Sequence, residues 1–350
     1  MYYNRNLITA SEHTVTRTDA SGVFDLQSQA VTQTDKNWPG SETASIIYDV
    51  TLGPDNLTIQ IPSTGTVDYT IDWGDGTVEA STSNLPSHTY SSTGSYKIRI
   101  FSAGVYRPYV NSNTTLTNVV RGVEITEKAN VGTNLERAFR DLEKLQTFKC
   151  DFSATSSVTN FSYMFWTCRM LSHIDLFDTS SGTNFLALFQ NNRSGFFPAL
   201  NTSSATTIGS MYRDISGITE LPTIDTSNVT NFGATWRGCD ITTFPSFYDF
   251  SSATTFSEAW RSAEIVNFPA NMFDSTGTLS SSAFNNAFNG CDLTAQSIEN
   301  ILTSLDTNGA TGINLHIGSG SNAAYSTWSQ AAKDALTSLQ GNSWTVTYNS

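Results

Sequence analysis

The chain is poor in the residue types from which most catalytic and metal centres are built. Of 350 residues only four are histidine and four are cysteine. His13, His88, His173 and His316 are scattered over four segments, and no His-x-x-x-His or His-Glu-x-x-His pair occurs. No Cys-x-x-Cys pair suggests a thiolate metal site or a redox motif. A phosphate-binding Gly-x-x-x-x-Gly-Lys-Ser/Thr loop and a Gly-x-Ser-x-Gly nucleophile elbow are also missing. The acid pairs Glu12/Asp19 and Glu124/Glu127 would do general acid–base work only if folding converged them in a cleft, and otherwise read as solvated charge. The expectation is a protein without enzymatic activity, cofactor or metal.

Charge is scarce too, at 14% of residues, and it is one-sided, with 18 Lys and Arg against 31 Asp and Glu. A net charge of −13 cannot neutralise phosphates, so no nucleic-acid partner is expected; the charge serves solubility and spacing between copies. No apolar run approaches the roughly 18 residues that span a bilayer. Met1–Ala10 lacks a hydrophobic signal core, so neither membrane insertion nor export by a signal peptide is expected.

What the chain does have is Ser, Thr and Asn in abundance, 12% aromatics, and a period. From Leu135 onward an aromatic follows a small or apolar residue at Phe139, Phe165, Phe189, Tyr212, Trp236, Trp260 and Phe288, recurring about every two dozen positions. Such a period marks a solenoid, in which each coil buries its apolar face only against its neighbours. Cys168, Cys239 and Cys291 each fall three positions after a column aromatic and read as small buried hydrophobes; Cys150 lies outside the column. Pro198, Pro222, Pro245 and Pro269 share another column, which should lie at a strand's edge or beginning because proline cannot donate to a ladder. A parallel sheet is expected along one side, while the form of the helical side stays open.

The period divides the chain. Residues 1–43 are polar, with an apolar patch at Val23, Phe24 and Leu26 followed by Trp38-Pro39. Residues 44–110 show period-two alternation at Leu57–Ile61, Val67–Trp73 and Tyr96–Phe101, with a tight Trp73-Gly-Asp-Gly-Thr77 connection. Asp72 and Asp75 on that connection are two hard oxygen donors, too few for a Ca²⁺ site, and read as acceptors for turn amides. Residues 111–134 connect this unit to the array at 135–291, with strands expected at Leu116–Val120 and Gly122–Ile125. Residues 292–350 read as helix (294–305), strand (314–317), helix (326–339) and strand (344–348), with Thr294 as an N-cap. This end would close the last apolar face.

Three resemblances follow from these motifs. The Trp-Gly-Asp-Gly turn, then His88-Thr-Tyr90 and Gly94-Ser-Tyr96, resembles the polycystic-kidney-disease (PKD) type of immunoglobulin-like β-sandwich. Met164-Phe165 with Cys168, Leu171 and Asp178-Thr-Ser180, and the arc Asp225-Thr226-Ser227-Asn228-Val229-Thr230, resemble BspA-like leucine-rich repeats of bacterial surface proteins. Gly22-Val-Phe-x-Leu-x-x-Gln followed by Trp38-Pro39, and the closing Trp344-Thr-Val-Thr347, are similar to segments of tailed-phage virion proteins. The resemblances imply a mainly β fold with short helices: an Ig/PKD-like sandwich, a leucine-rich-repeat-type solenoid and a small α/β cap. They imply a virion structural protein exposed as a capsid decoration or tail-associated host-binding protein, present in symmetric copies, with a bacterial surface adhesin as the alternative. Val23, Phe24, Leu26, Trp38 and Pro39 would then anchor the chain to other virion proteins. Asp225, Thr226, Ser227, Asn228 and Thr230 would offer a binding arc to a host glycan or protein.

Overall fold

The computed structural model describes residues 44–350 except 66–67, 111–114, 194–196 and 219. The expected anchor residues Val23, Phe24, Leu26, Trp38 and Pro39 lie outside the described residues. Within them the chain is mainly β with few short helices.

Strands β1 (Ile46–Leu52), β2 (Thr58–Gln60), β3 (Ser63–Thr64), β4 (Tyr69–Asp72), β5 (Val78–Ser81), β6 (Ser87–Thr89), β7 (Gly94–Ser102) and β8 (Arg107–Pro108) all precede Val110. Strands β9 (Val120–Ile125), β10 (Thr147–Cys150) and β11 (His173–Ile174) follow. The alternation in β1 turns Ile46, Tyr48, Val50 and Leu52 inward, where they meet Ile98 and Ile100 of β7, Ile71 of β4 and the fully buried Trp73 and Tyr90. Two small antiparallel pairs, β2–β6 and β3–β8, complete this unit. At the tight turn Gly74 has φ +82°, and a Cβ there would stand 2.4 Å from the Lys97 carbonyl oxygen, so only glycine lets the turn lie against β7.

The first unit does not end where the repeat begins. β1 pairs antiparallel with β7 on one side and with β9 on the other; β9 then pairs parallel with β10, and β10 with β11. The result is one seven-stranded sheet in the order β11-β10-β9-β1-β7-β4-β5. A buried row, Ile98–Tyr48–Val123–Phe148–Ile174, crosses the junction without interruption. The strand expected at Leu116–Val120 is a 3₁₀ turn over Thr115–Asn118, which buries Leu116 and aims the chain into β9.

Beyond β9 the chain stacks coil on coil. Phe139, Phe165, Phe189 and Tyr212 stack in sequence at 5.9–6.3 Å between ring centroids, and Trp236, Trp260 and Phe288 at 4.7–5.4 Å. The expected aromatic column is therefore the spine of the core. The turn carrying each spine residue is neither α nor 3₁₀. Leu135, Arg137, Phe139 and Asp141 donate to carbonyls of Asn160, Ser162, Met164 and Trp166 in the next coil at 2.8–3.1 Å, while Ala138, Arg140 and Leu142 donate three positions back. To alternate in this way the backbone enters the left-handed region twice per coil. Arg137, Tyr163, Ala187, Ser210, Ala234, Glu258 and Asn286 all have φ between 53° and 59°, and a second left-handed residue follows four positions later. That conformation costs roughly 1–2 kcal/mol at a non-glycine residue, and it is offset by hydrogen bonds that tie each turn to the next coil.

The sheet stops at β11 for a reason visible in the prolines. Asp175 donates its N–H to the Phe148 carbonyl at 2.9 Å. In later coils the residue following the corresponding buried apolar side chain (Phe197, Leu221, Phe244, Phe268) is Pro198, Pro222, Pro245 or Pro269, which has no N–H to repeat that bond.

The C-terminal segment continues the stack with longer coils. Phe284 bridges to Leu315, which pairs with Val346, and both steps are longer than those from Asn184 to Thr207 or from Asn231 to Thr255. Each longer coil holds one α-helix: α1 (Ala295–Asn308), N-capped by Thr294, and α2 (Gln330–Gly341), N-capped by Ser329. Strands β12 (Asn314–His316) and β13 (Thr345–Thr347) complete them.

The cysteines lie where the period puts them. The thiols of Cys168, Cys239 and Cys291 donate to the carbonyls of Phe139, Tyr212 and Trp260, the spine residues one coil earlier, and the amide of Asn192 does the same for Phe165. All four cysteines are free thiols. Burial pushes Cys239 and Cys291 up to about 12, and Cys168 higher still. Ellman's reagent at pH 8 should therefore leave these three thiols unmodified in the native protein and modify them on unfolding; rapid native labelling at any of them would contradict the packing.

Candidate functional site

The arc Asp225–Thr230 is a section of three ladders that hold coils together. The Asp225 carboxylate accepts from the amide and hydroxyl of Ser227, which hold it below the usual carboxylate range. Asp151, Asp178, Asn201 and Asp249 make the same turn in other coils. The buried Thr226 hydroxyl donates to the Asp249 carbonyl at 2.8 Å, as Thr155, Thr179 and Thr202 do one coil apart. Asn228 donates to the Ser203 carbonyl. Thr230 donates to the Thr206 carbonyl within a hydroxyl ladder running from Thr159 to Thr254. The five arc residues are thus brought together on one coil, with Thr226, Asn228 and Thr230 bonded to neighbouring coils and Asp225 and Ser227 bonded to each other.

The acidic turn of the first unit is similarly committed. Asp72 accepts from Gly74 N at 2.9 Å and from Arg99 at 2.9 Å. Asp75 accepts from Thr77 N at 3.0 Å and pairs with His88 Nε2 at 2.8 Å. Burial works to raise the Asp75 carboxyl, but the bonds from His88 and Thr77 outweigh it and hold the group below its ordinary range. His88 in turn stacks on Trp73 at 5.0 Å. His173 pairs with Asp175, and His316 Nδ1 accepts the Asn286 amide.

A less expected feature lies where β9, β10 and β11 end. There a cleft of about 340 Å³ is lined by Glu124, Glu127, Lys149, Cys150, Asp151 and Asp175, with Ile125 and Thr126. Glu124 on β9 and Lys149 on β10 reach it because they stand in register, and Asp175 directly follows the end of β11. Phe152 and Leu176 directly follow the lining residues Asp151 and Asp175 in the chain, and each is 58% exposed. Burial, with Asp151 and Asp175 close by, pushes the Cys150 thiol up to about 12, which disfavours the thiolate at neutral pH. Glu124 and Glu127, the acid pair that acid–base work would need brought together in a cleft, both line this one, and the arrangement is a carboxylate-rich recess. Glu124 and Glu127 are visible in the sequence as a pair; Asp151 and Asp175 join them only through strand register.

Residues 133–240 match the family model described as a Mycoplasma protein of unknown function, DUF285. The matched stretch contains the spine from Phe139 to Trp236, two of the column cysteines and the Asp225–Thr230 arc, and it covers less than a third of the chain. Neither the curated proteins nor the solved structures include a match to the chain.

Proposed function

We propose that the protein is a non-enzymatic virion structural protein of a tailed bacteriophage, exposed on the particle as a capsid decoration or a tail-associated host-binding protein. In this reading the first unit is a PKD-like sandwich, the stack is a BspA-like leucine-rich-repeat solenoid, and the helix-bearing coils are its cap. The observation that carries it is the continuous seven-stranded sheet, which joins the first unit to the stack and makes them one stiff body suited to display. The motifs Val23-Phe24-x-Leu26 and Trp38-Pro39 supply the attachment to other virion proteins, and the particle's symmetry supplies multiple copies.

Mass spectrometry of purified particles should find the chain. Deleting residues 1–43 should leave a folded protein, since β1 begins at Ile46, that no longer co-purifies with particles. Absence from particles would defeat the reading, and retained attachment of the truncated chain would defeat the anchor. A bacterial cell-surface adhesin is the second reading, favoured by the match at 133–240; recovery of the chain on intact cells and not on particles would favour it.

A further inference from the structure

We propose that the cleft at the ends of β9, β10 and β11 is a docking site for a cationic segment of a partner protein that carries Lys or Arg beside a large apolar residue. Two features meet there. Phe152 and Leu176 directly follow the cleft-lining Asp151 and Asp175 and present large apolar side chains to solvent, each 58% exposed, although nearby apolar residues such as Phe148, Ile174 and Phe177 are buried. The recess beside them is lined by four carboxylates, from Glu124, Glu127, Asp151 and Asp175, and by the ammonium of Lys149. Asp151 is engaged by Ser153, Asp175 pairs with His173 and Glu127 stands 3.7 Å from the exposed Lys128, so Glu124 and Glu127 are the carboxylates on which a ligand's charge acts. An apolar pair alone would accept many partners; the adjoining carboxylates select the sign of the one that fits.

Charge also decides between the available occupants. The chain's own residues 1–43 join the described chain beside the recess, where the Thr126 hydroxyl donates to the Ala44 carbonyl at 2.6 Å, but they carry three Lys and Arg against five Asp and Glu, a net −2, and so bring no cationic excess to it. A second copy brings a net charge of −13 and is repelled. A foreign segment with two or three cationic side chains gains attraction at the carboxylates and buries its apolar residue on Phe152 and Leu176. The contact area is small, which suits a weak, salt-sensitive contact that gains strength from repeated copies. The inference rests on the reading of the chain as a displayed, non-catalytic body only in requiring this face to be accessible.

The test uses the full chain and a fluorescein-labelled peptide, Gly-Lys-Lys-Phe-Lys-Gly, followed by anisotropy at 50 and 200 mM NaCl. Saturable binding is expected, weakening at the higher salt. The double variant Phe152→Ser/Leu176→Ser should weaken it at least fivefold, and Glu124→Gln/Glu127→Gln at least fivefold with a flatter salt dependence. A control pair elsewhere, Asp55→Asn/Glu220→Gln, should change it less than twofold. Equal weakening by the control pair would mean diffuse attraction to an acidic protein and overturn the site, as would absence of saturable binding. So would tighter binding of Gly-Glu-Glu-Phe-Glu-Gly. If residues 1–43 or a second copy fill the cleft, the truncated chain or the diluted protein will bind the peptide several-fold more tightly, and the assignment to a partner fails. Peptide binding and recovery on particles are read separately, so loss of one does not decide the other.

Discussion

Trp260→Ala is expected to destabilise the stack by about 3–5 kcal/mol, the range for truncating a large buried aromatic in a core that cannot collapse around the gap. Trp260 is fully buried and stacks between Trp236 at 5.4 Å and Phe288 at 4.7 Å, with Phe244 and Phe268 meeting it edge-on at 5.4 and 5.2 Å. Collapse is blocked because coil spacing is fixed by the ladders on both sides: Trp260 N donates to Ala287 O while Trp236 N donates to Ala259 O. Urea denaturation followed by circular dichroism should show a lower midpoint. Trp260→Phe should recover much of the loss, since Phe already fills the column at Phe288. A midpoint for Trp260→Ala indistinguishable from that of the parent would mean that the spine does not bear on stability as described.

Val123→Asp should have a comparable effect on stability and a further effect on cooperativity. Val123 is 2% exposed and lies in register with Tyr48 on one side and Phe148 on the other, at the junction between the first unit and the stack. A carboxylate there has no cation in the buried row to pair with, and an uncompensated buried charge costs about 3–5 kcal/mol or displaces the strand. Among the described residues β9 is the sole strand linking β1 to β10, so its displacement separates two halves that otherwise share one core. Calorimetry should show one main transition in the parent and two in the variant. Val123→Ile, which keeps the row apolar, should preserve the single transition. A single unshifted transition for Val123→Asp would refute the shared core.

Much of this was legible in the chain because the repeat averages over its own exceptions. Seven aromatics and three cysteines at a common offset specify a spine and a packing column whichever residue fills a given coil. The helices at 295–308 and 330–341 were legible from their caps and apolar spacing, although Thr294 is a better marker than the start of the second, which a 3₁₀ turn over Tyr325–Thr327 displaces. The first left-handed column was not legible, because Tyr163, Ala187 and Glu258 have no intrinsic preference for that conformation. Hydrogen bonds to the neighbouring coil impose it. The continuity of the sheet was hidden for a related reason: the pairing of Ile46 with Ile125 joins residues too distant for any local pattern to report. The cleft depends on two such registers at once, β9 with β10 and β10 with β11. The arc at Asp225–Thr230 was visible as a motif, but a sequence does not say whether a hydroxyl points toward a ligand or along the stack.

The left-handed turns also determine how the molecule would respond to tension. Their coil-to-coil hydrogen bonds lie along the stack axis, so a pull applied at the C-terminal end loads them end-on and the coils detach one after another like plates from a pile. Each coil of roughly two dozen residues releases about 80 Å of extended chain as it goes. A body built in this way lengthens in steps from its tip, acting as a shock absorber.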